Sequence, residues 1–336
     1  MPTKVQAYAA RTAKGPVEPF SYDAPPLSAH EVEIAVSHCG ICHSDIAMID
    51  NDWQMTKYPL VPGHEVVGTV SAVGEDVEGL KPGQRVGLGW QSGSCGLCEF
   101  CRRGKEHLCA NEQDTIVGRH GGWASSVQAD ARFVVPIPEA LESANVGPMM
   151  CAGSTVWGPI LHYGVTAGMR TAVIGIGGLG HLAVQFLAQS GCEVTAISST
   201  HSKDEEARRF GASDFIATKG TDELSQSAGR FDFILSTVSA DLNWGEYIKA
   251  LRPEGTLVLC GIPESELKIA PFGIIQGEKS VKGGRATSPS DVVQMLAFAA
   301  RTGVKPMVET FPLANVKVAL DHVRAGKARY RVVLTA

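Results

Sequence analysis

Apolar and polar residues alternate through EVEIAVSHCG (31–40), the period-two pattern of a strand with one buried face. VVGTVSAVG (66–74) and QRVGLGW (84–90) read as further short strands interrupted by glycine, with KPGQ as a turn between them. The first 150 or so residues are thus β-rich and loop-heavy. The pattern changes near Gly168. TAVIGIGGLGHLAVQFLAQSGCEVTAIS reads as strand, glycine turn, helix, a stop at Gly191 and a second strand, which is one βαβ unit. FDFILSTV and GTLVLCGI are continuous apolar runs of the kind found in parallel strands covered on both faces. Beyond about residue 285, DVVQMLAFAARTG and NVKVALDHVRAGK have helical spacing, and YRVVLT closes as a strand. The expected fold class is α/β, with a β-rich unit beside a doubly wound parallel sheet.

A chain of 336 residues is long enough for two domains with separate cores. Hydrophobic content of 44% with 19% charged residues describes a globular protein, and a net charge of −5 argues against a general nucleic-acid binder. No apolar run approaches the roughly 20 residues that span a bilayer. MPTKVQAYAARTAKG has no apolar core of a secretory signal, so a cytoplasmic location is expected.

That location bears on the nine cysteines, an odd number in a reducing compartment where structural disulfides are rare. Four fall in SCGLCEFCRRGKEHLC: Cys95, Cys98, Cys101 and Cys109, spaced C-x2-C-x2-C-x7-C. Thiolates on one short loop can close a tetrahedral site around Zn²⁺ with no position left for water. Arg102, Arg103 and Lys105 would offset the excess negative charge of four thiolates on a dication. A structural zinc is expected, and an iron–sulfur cluster is the main rival because the same ligands serve it.

Gly175, Gly177 and Gly180 spell G-x-G-x-x-G between a strand and a helix, the context in which that motif binds a dinucleotide. The segment Gly175, Ile176, Gly177, Gly178, Leu179, Gly180 would put backbone N–H groups and a helix N-terminus against the pyrophosphate. An NAD site usually carries an acidic residue at the end of the next strand. Here Ser198, Ser199 and Thr200 occupy that place and Lys203 follows, a set suited to the 2′-phosphate of NADP(H).

Three further segments hold metal-ligand residue types: CGICHSD (39–45), PGHEVVG (62–68) and MCAGST (150–155). Taken singly, Cys39 and Cys42 could be a redox pair, His64 a turn histidine and Cys151 a buried small side chain. Together, in this order, with the four-cysteine loop, GIGGLGH and the closing GKARYRVV, they give a chain that resembles the zinc-containing medium-chain dehydrogenases/reductases over essentially its whole length. It is most similar to the cinnamyl alcohol dehydrogenase-like branch, which includes bacterial NADPH-dependent broad-range aldehyde reductases.

The resemblance implies a GroES-like catalytic domain from residues 1–150 and 285–336, with a Rossmann domain over 151–284. It implies two zinc ions per chain, with Cys42, His64 and Cys151 holding the catalytic one and Glu65 beside them or as a fourth ligand. Asp45 would orient His64, and Ser44 would pass the proton to the substrate oxygen. His43 and Ser44 would also touch the cofactor, as would Thr237, Gly261, Gly283 and Gly284. Arg331, or alternatively Arg329, would reach the pyrophosphate. Many members carry a histidine three residues after the serine, where this chain has Ala47, so the proton needs another route to water. Trp53, Leu60 and Trp90 could line an apolar substrate pocket or simply pack the core. The implied reaction is the NADP(H)-linked interconversion of medium aliphatic or aromatic aldehydes and primary alcohols by a homodimer or homotetramer. The rival readings are an NAD-dependent polyol or secondary-alcohol dehydrogenase and a non-catalytic NADPH-binding sensor.

Overall fold

A computed structural model describes residues 4–263 and 265–336. The chain divides into two compact units, Met1–Cys151 with Thr287–Ala336, and Ala152–Ala286. Cys151 therefore belongs to the first unit, whereas a boundary at 150/151 would assign it to the second.

The first unit is built on the strand expected at 31–40, which runs Glu31–Ile41 and buries alternate side chains such as Val32 and Ile34. Val66–Val73 pairs antiparallel with one of its edges, and Ser126–Asp130 and Arg331–Thr335 share the other. The sheet continues from Val66–Val73 to Arg85–Leu88 and Val135–Pro136, and from Arg331–Thr335 to Val308–Pro312. The Arg331–Thr335 pairing, Val332 opposite Ile41 and Thr335 opposite His38, fastens the chain's last segment to its first major strand. Lys4–Ala10 and Val17–Asp23 form a separate antiparallel pair against this core. The helical spacings of the last segment become Pro289–Thr302, capped by the Ser288 hydroxyl on Asp291 N–H and ended by Gly303 at positive φ, and Val316–Arg324.

The second unit is a six-stranded parallel sheet ordered Asp214–Ala217, Glu193–Ser198, Arg170–Ile174, Phe231–Ser236, Leu251–Leu259, Ser280–Gly283. Strand order reverses between Arg170–Ile174 and Phe231–Ser236, the switch point where a Rossmann sheet binds its ligand. Helix Gly180–Gln189 follows the glycine turn and buries Leu182, Ala183, Val184, Phe186 and Leu187. No helix among the described residues is long and apolar enough to cross a membrane.

Close backbone approach sets the pairing of the first sheet. A Cβ on Gly68 would meet the carbonyl of Ala35 on the neighbouring strand and Ile34 Cγ2 at 2.6 Å. Gly68→Ala should therefore destabilise the chain by about 1–3 kcal/mol, the usual cost of overpacking. Denaturant unfolding followed by circular dichroism measures this, and an unchanged midpoint would show that the two strands can spread.

Candidate metal centres and dinucleotide site

Strand Glu31–Ile41 delivers Cys42 to the N-terminus of helix His43–Asp50, where the chain turns with Cys42 still extended. Asp45, in that helix's first turn, is fully buried. Its Oδ2 accepts the Cys42 N–H at 2.9 Å, and its Oδ1 accepts Gly63 N–H and His64 Nδ1, each at 2.9 Å. One carboxylate thus fixes the helix start, the turn before His64 and the imidazole itself. Gly63 has φ of +102°, and a Cβ there would meet Trp123 and Cys39, so the turn that presents His64 needs glycine.

Cys42, His64, Glu65 and Cys151 each offer one ligand atom, and these atoms lie within 4.8 Å of one another. Cys151 arrives on a wide helical turn, Met149–Gly153, and its Sγ is 3.8 Å from Cys42 Sγ. Two thiolates bound to one zinc at about 2.3 Å would be about 3.8 Å apart. His64 is fully buried, yet its Nε2 makes no hydrogen bond, and Glu65 Oε2 is equally orphaned. Buried polar atoms without partners are rare, and a cation among these four groups satisfies both. The donor set fits a catalytic zinc. Cys39 stays outside it, buried beside Gly63 and Gly122, its thiol pushed up by burial and by Asp45.

Charge in the cluster is balanced internally. The hydrogen bond from Cys151 holds the Cys42 thiol well below its ordinary range, and the same contact with burial pushes Cys151 up, so the pair shares a proton. Burial alone would lower His64, but the Asp45 carboxylate outweighs it and makes the ring a stronger base. Burial raises Glu65 to about 7 against the opposing pull of Arg331. Arg331 donates to Glu65 Oε1 and to the Ile41 carbonyl, with only 5% of its surface exposed. Ser44 Oγ lies 3.8 Å from Cys42 Sγ. Trp90 stands edge-on to the His64 ring at 4.9 Å, with Trp53 6.0 Å beyond it, whereas Leu60 is core. Ala47 is buried within its helix.

The four-cysteine loop differs from this cluster in exposure: Cys95 and Cys98 are half-buried, and only Cys101 and Cys109 are buried. Sulfur separations of 3.5 Å (Cys98–Cys101, Cys95–Cys109) and 3.9 Å (Cys95–Cys101) suit four thiolates on a single ion. An iron–sulfur cluster would spread its ligands over several iron atoms. Backbone N–H groups of Leu97 and Cys98 turn toward Cys95 and hold its thiol down to about 6.

In the second unit, Gly175, Ile176, Gly177, Gly178, Leu179, Ser198, Ser199, Lys203 and Thr237 line one cavity of 410 Å³. Gly175 has φ of +87°, and a Cβ on Gly180 would fall on the Gly175 carbonyl, so the motif's first and third glycines serve the turn and the packing. Thr237 Oγ1 ties the neighbouring strand to the turn by donating to the Ile174 and Gly175 carbonyls at 2.9 Å. Lys203 Nζ reaches the Ile176 carbonyl across the mouth. Among the described residues, no acidic side chain lines the cavity.

Not every expected cofactor residue is there. Thr200 is exposed with its hydroxyl 3.0 Å from Ser202 Oγ, and Gly261 backs onto the main chain of Val238. The Gly283 carbonyl accepts from Tyr163 Oη, while Gly284 packs on Pro159 and Cys260. His43 is exposed and Ser44 half-buried at the start of their helix in the first unit. Arg331, one of the two arginines expected at the pyrophosphate, begins strand Arg331–Thr335 and turns its guanidinium inward onto the buried Glu65 carboxylate. Arg329 is exposed, with its guanidinium 5.3 Å over the Tyr330 ring. Sequence reasoning missed Thr218, Leu242 and Tyr247, which also line the cavity. They come from segments with no phosphate motif, so nothing local marks them.

Residues 28–139 match the model of the alcohol dehydrogenase GroES-like domain, and residues 178–301 that of the zinc-binding dehydrogenases. The chain is 44% identical over 331 residues to aldehyde reductase AdhA of Synechocystis sp., covering 98% of both chains. Among solved structures it superposes with TM-score 0.94 on the cinnamyl alcohol dehydrogenase SbCAD4 of Sorghum bicolor, at 36% identity over 99% of this chain and 98% of that one. It also matches the cinnamyl alcohol dehydrogenase of Helicobacter pylori complexed with NADP(H), with TM-score 0.91 and 27% identity over 100% and 99% of the two chains. An oxidoreductase with buried Cys42, His64 and Cys151 on a GroES-like unit and a glycine-rich turn on a Rossmann unit, this chain belongs to the zinc-containing medium-chain dehydrogenases/reductases, in their cinnamyl alcohol dehydrogenase-like branch.

Proposed function

We propose that this chain catalyses the reversible reduction of medium aliphatic or aromatic aldehydes to primary alcohols, with NADPH as hydride donor and zinc held by Cys42, His64 and Cys151. The observation that carries this reading is the unpartnered Nε2 of His64, buried among two thiols and a carboxylate while Nδ1 is anchored on Asp45. Zinc bound there supplies a Lewis acid for the carbonyl, and the reduced nicotinamide supplies the hydride.

The chain's own groups do the rest. Asp45 fixes the histidine tautomer by accepting a hydrogen bond from Nδ1–H, which leaves Nε2 as the ligand atom. Ser44, beside Cys42, is the hydroxyl that hands a proton to the nascent alcohol oxygen. With Ala47 where a relay histidine would stand, the serine's proton is replaced through the cofactor ribose or water. Glu65, tied to Arg331, stays beside the ligands as an alternative fourth donor. Trp90 and Trp53 give this side of the cluster an aromatic wall, which favours apolar aldehydes over polyols. Ser198, Ser199 and Lys203 take the 2′-phosphate, and no acid among the described lining residues opposes it. The NADP(H) in the H. pylori structure supports the same choice, and the name of the Synechocystis relative supports aldehyde reduction. The working unit is a homodimer or homotetramer, and its location is cytoplasmic.

Initial rates with benzaldehyde and octanal, each with NADPH and NADH, test this directly. Wild type should carry two zinc ions per chain by atomic absorption, and Cys42→Ala should retain one with its rate reduced at least about a hundredfold, since a metal Lewis acid is worth several kcal/mol. Turnover that survives in a one-zinc Cys42→Ala protein would remove the metal from the reaction. Absence of turnover in a two-zinc wild type would favour a sensor.

The cofactor assignment has its own test. Lys203→Ala should raise the KM for NADPH about tenfold to a hundredfold, the worth of a charged hydrogen bond, and leave that for NADH within about threefold. Faster turnover of the wild type with NADH would overturn the assignment and restore the polyol reading.

A further inference from the structure

With a dication bound, the four thiolates of the cysteine loop would carry more charge than the ion cancels, and a guanidinium from outside the loop lies against it. Within the loop, Arg103 is committed to Glu99 at 2.8 Å, and Arg102 is exposed. The guanidinium that touches the loop comes from outside it. Arg132 sits in the turn after strand Ser126–Asp130, and its Nη2 donates to the Ser94 carbonyl at 3.1 Å. Its Nη1 lies against Gly96, where a Cβ would collide with it, and Gly96 holds φ of +69°. Ser94 Oγ, in turn, is 3.4 Å from Cys101 Sγ.

Arg132 is itself aimed. Asp130 Oδ1 accepts Arg132 Nε at 3.0 Å and Oδ2 accepts Nη2 at 2.5 Å. Asp130 Oδ1 also accepts the Arg132 backbone N–H at 2.9 Å, so the carboxylate caps the turn and directs the fork together. Asp130 belongs to a strand paired with Glu31–Ile41, Asp130 standing opposite Glu31. The Asp130–Arg132 pair therefore links the cysteine loop to the main sheet, and Gly96 leaves room for the contact.

We infer that Arg132 is the positioning residue of the four-cysteine site: held by Asp130, it presents positive charge to the first knuckle of the loop and slows loss of the ion bound there. The inference rests on the loop holding zinc. Four thiolates around Zn²⁺ carry a net charge of −2, and a guanidinium beside them favours the loaded state over the empty, protonated loop. Arg132 is half-exposed, so the effect is that of a surface pair, a factor of about two to five.

The test uses the intact, zinc-loaded protein and needs no activity assay. Zinc release to a chromogenic chelator is followed in wild type, Arg132→Met and Arg132→Lys, with mass-spectrometric mapping of cysteine alkylation over the same time course. In Arg132→Met one zinc should leave about two- to fivefold faster, with Cys95, Cys98, Cys101 and Cys109 becoming alkylated in step, while release from Cys42 and Cys151 is unchanged. Arg132→Lys, which keeps the charge, should recover most of the difference, and added salt should shrink it. Equal release in all three proteins would overturn the inference. So would parallel acceleration at both sites, which marks general destabilisation, and so would a lysine variant no better than methionine. Immediate alkylation of the four loop cysteines in zinc-loaded wild type would refute the metal itself and the inference with it.

Discussion

The Asp45 carboxylate is the constraint on which the first unit's chemistry depends. A buried anion is costly unless its lone pairs are satisfied, and Asp45 meets that condition by accepting from Cys42 N, Gly63 N and His64 Nδ1. Each donor belongs to a different step of the chain: a strand end, a positive-φ turn and a side chain. Losing the carboxylate would free all three at once. Because the His64 proton is on Nδ1, the other nitrogen is left aimed at Cys42, Cys151 and Glu65 with nothing to receive it. The orphan atom is a product of the anchor.

A second buried ion pair ties this centre to the far end of the sequence. Glu65 follows His64 directly, its backbone carbonyl accepts from Gly40 N, and a Cβ on Gly40 would fall on its carboxylate. The cation that makes the burial tolerable, Arg331, is 266 residues away and begins the strand that pairs with Glu31–Ile41. Breaking such a pair leaves an uncompensated charge in the interior, which is far more damaging than the pair is stabilising. The final strand thus completes the electrostatics of the cysteine–histidine cluster as well as the sheet.

These long-range ties mark where the sequence was readable and where it was not. Spacing announces local events: the period-two strand at 31–41, the glycine turn at 175–180, the cysteine loop, and the apolar runs of the Rossmann strands. Strands Asp214–Ala217 and Ser280–Gly283, at the two edges of the parallel sheet, are only four residues long, too short for their periodicity to announce them. Helix His43–Asp50 shows almost no amphipathic pattern because Asp45 through Ile49 are all buried, charged residue included. Arg329 and Arg331 differ by two positions in a segment of loop and strand, and only the pairing register reveals that Arg331 faces inward on Glu65. The cations within the cysteine loop looked sufficient to balance it. Arg132, 23 residues beyond Cys109, has no motif to signal its contact with Gly96 and Ser94.

The two cysteine-bearing centres of the first unit put opposite demands on a bound dication. Four thiolates overcompensate it, so an ion in the 95–109 loop is electron-rich, coordinatively closed and a poor acceptor; that loop is free to sit near the surface, where water and Arg132 moderate the excess charge. Two thiolates and a neutral imidazole cancel the dication's charge without exceeding it, which preserves its appetite for a carbonyl oxygen. Such a neutral unit can be buried at modest cost, and Cys42, His64 and Cys151 are all buried. Glu65 would tip the balance to negative if its charge were uncompensated. Pairing it with Arg331 removes that charge from the sum while leaving Oε2 within reach of the ligands. A carboxylate so restrained could stand beside an ion without quenching it, and on the proposed reading the same ligand chemistry would serve stability at one centre and reactivity at the other.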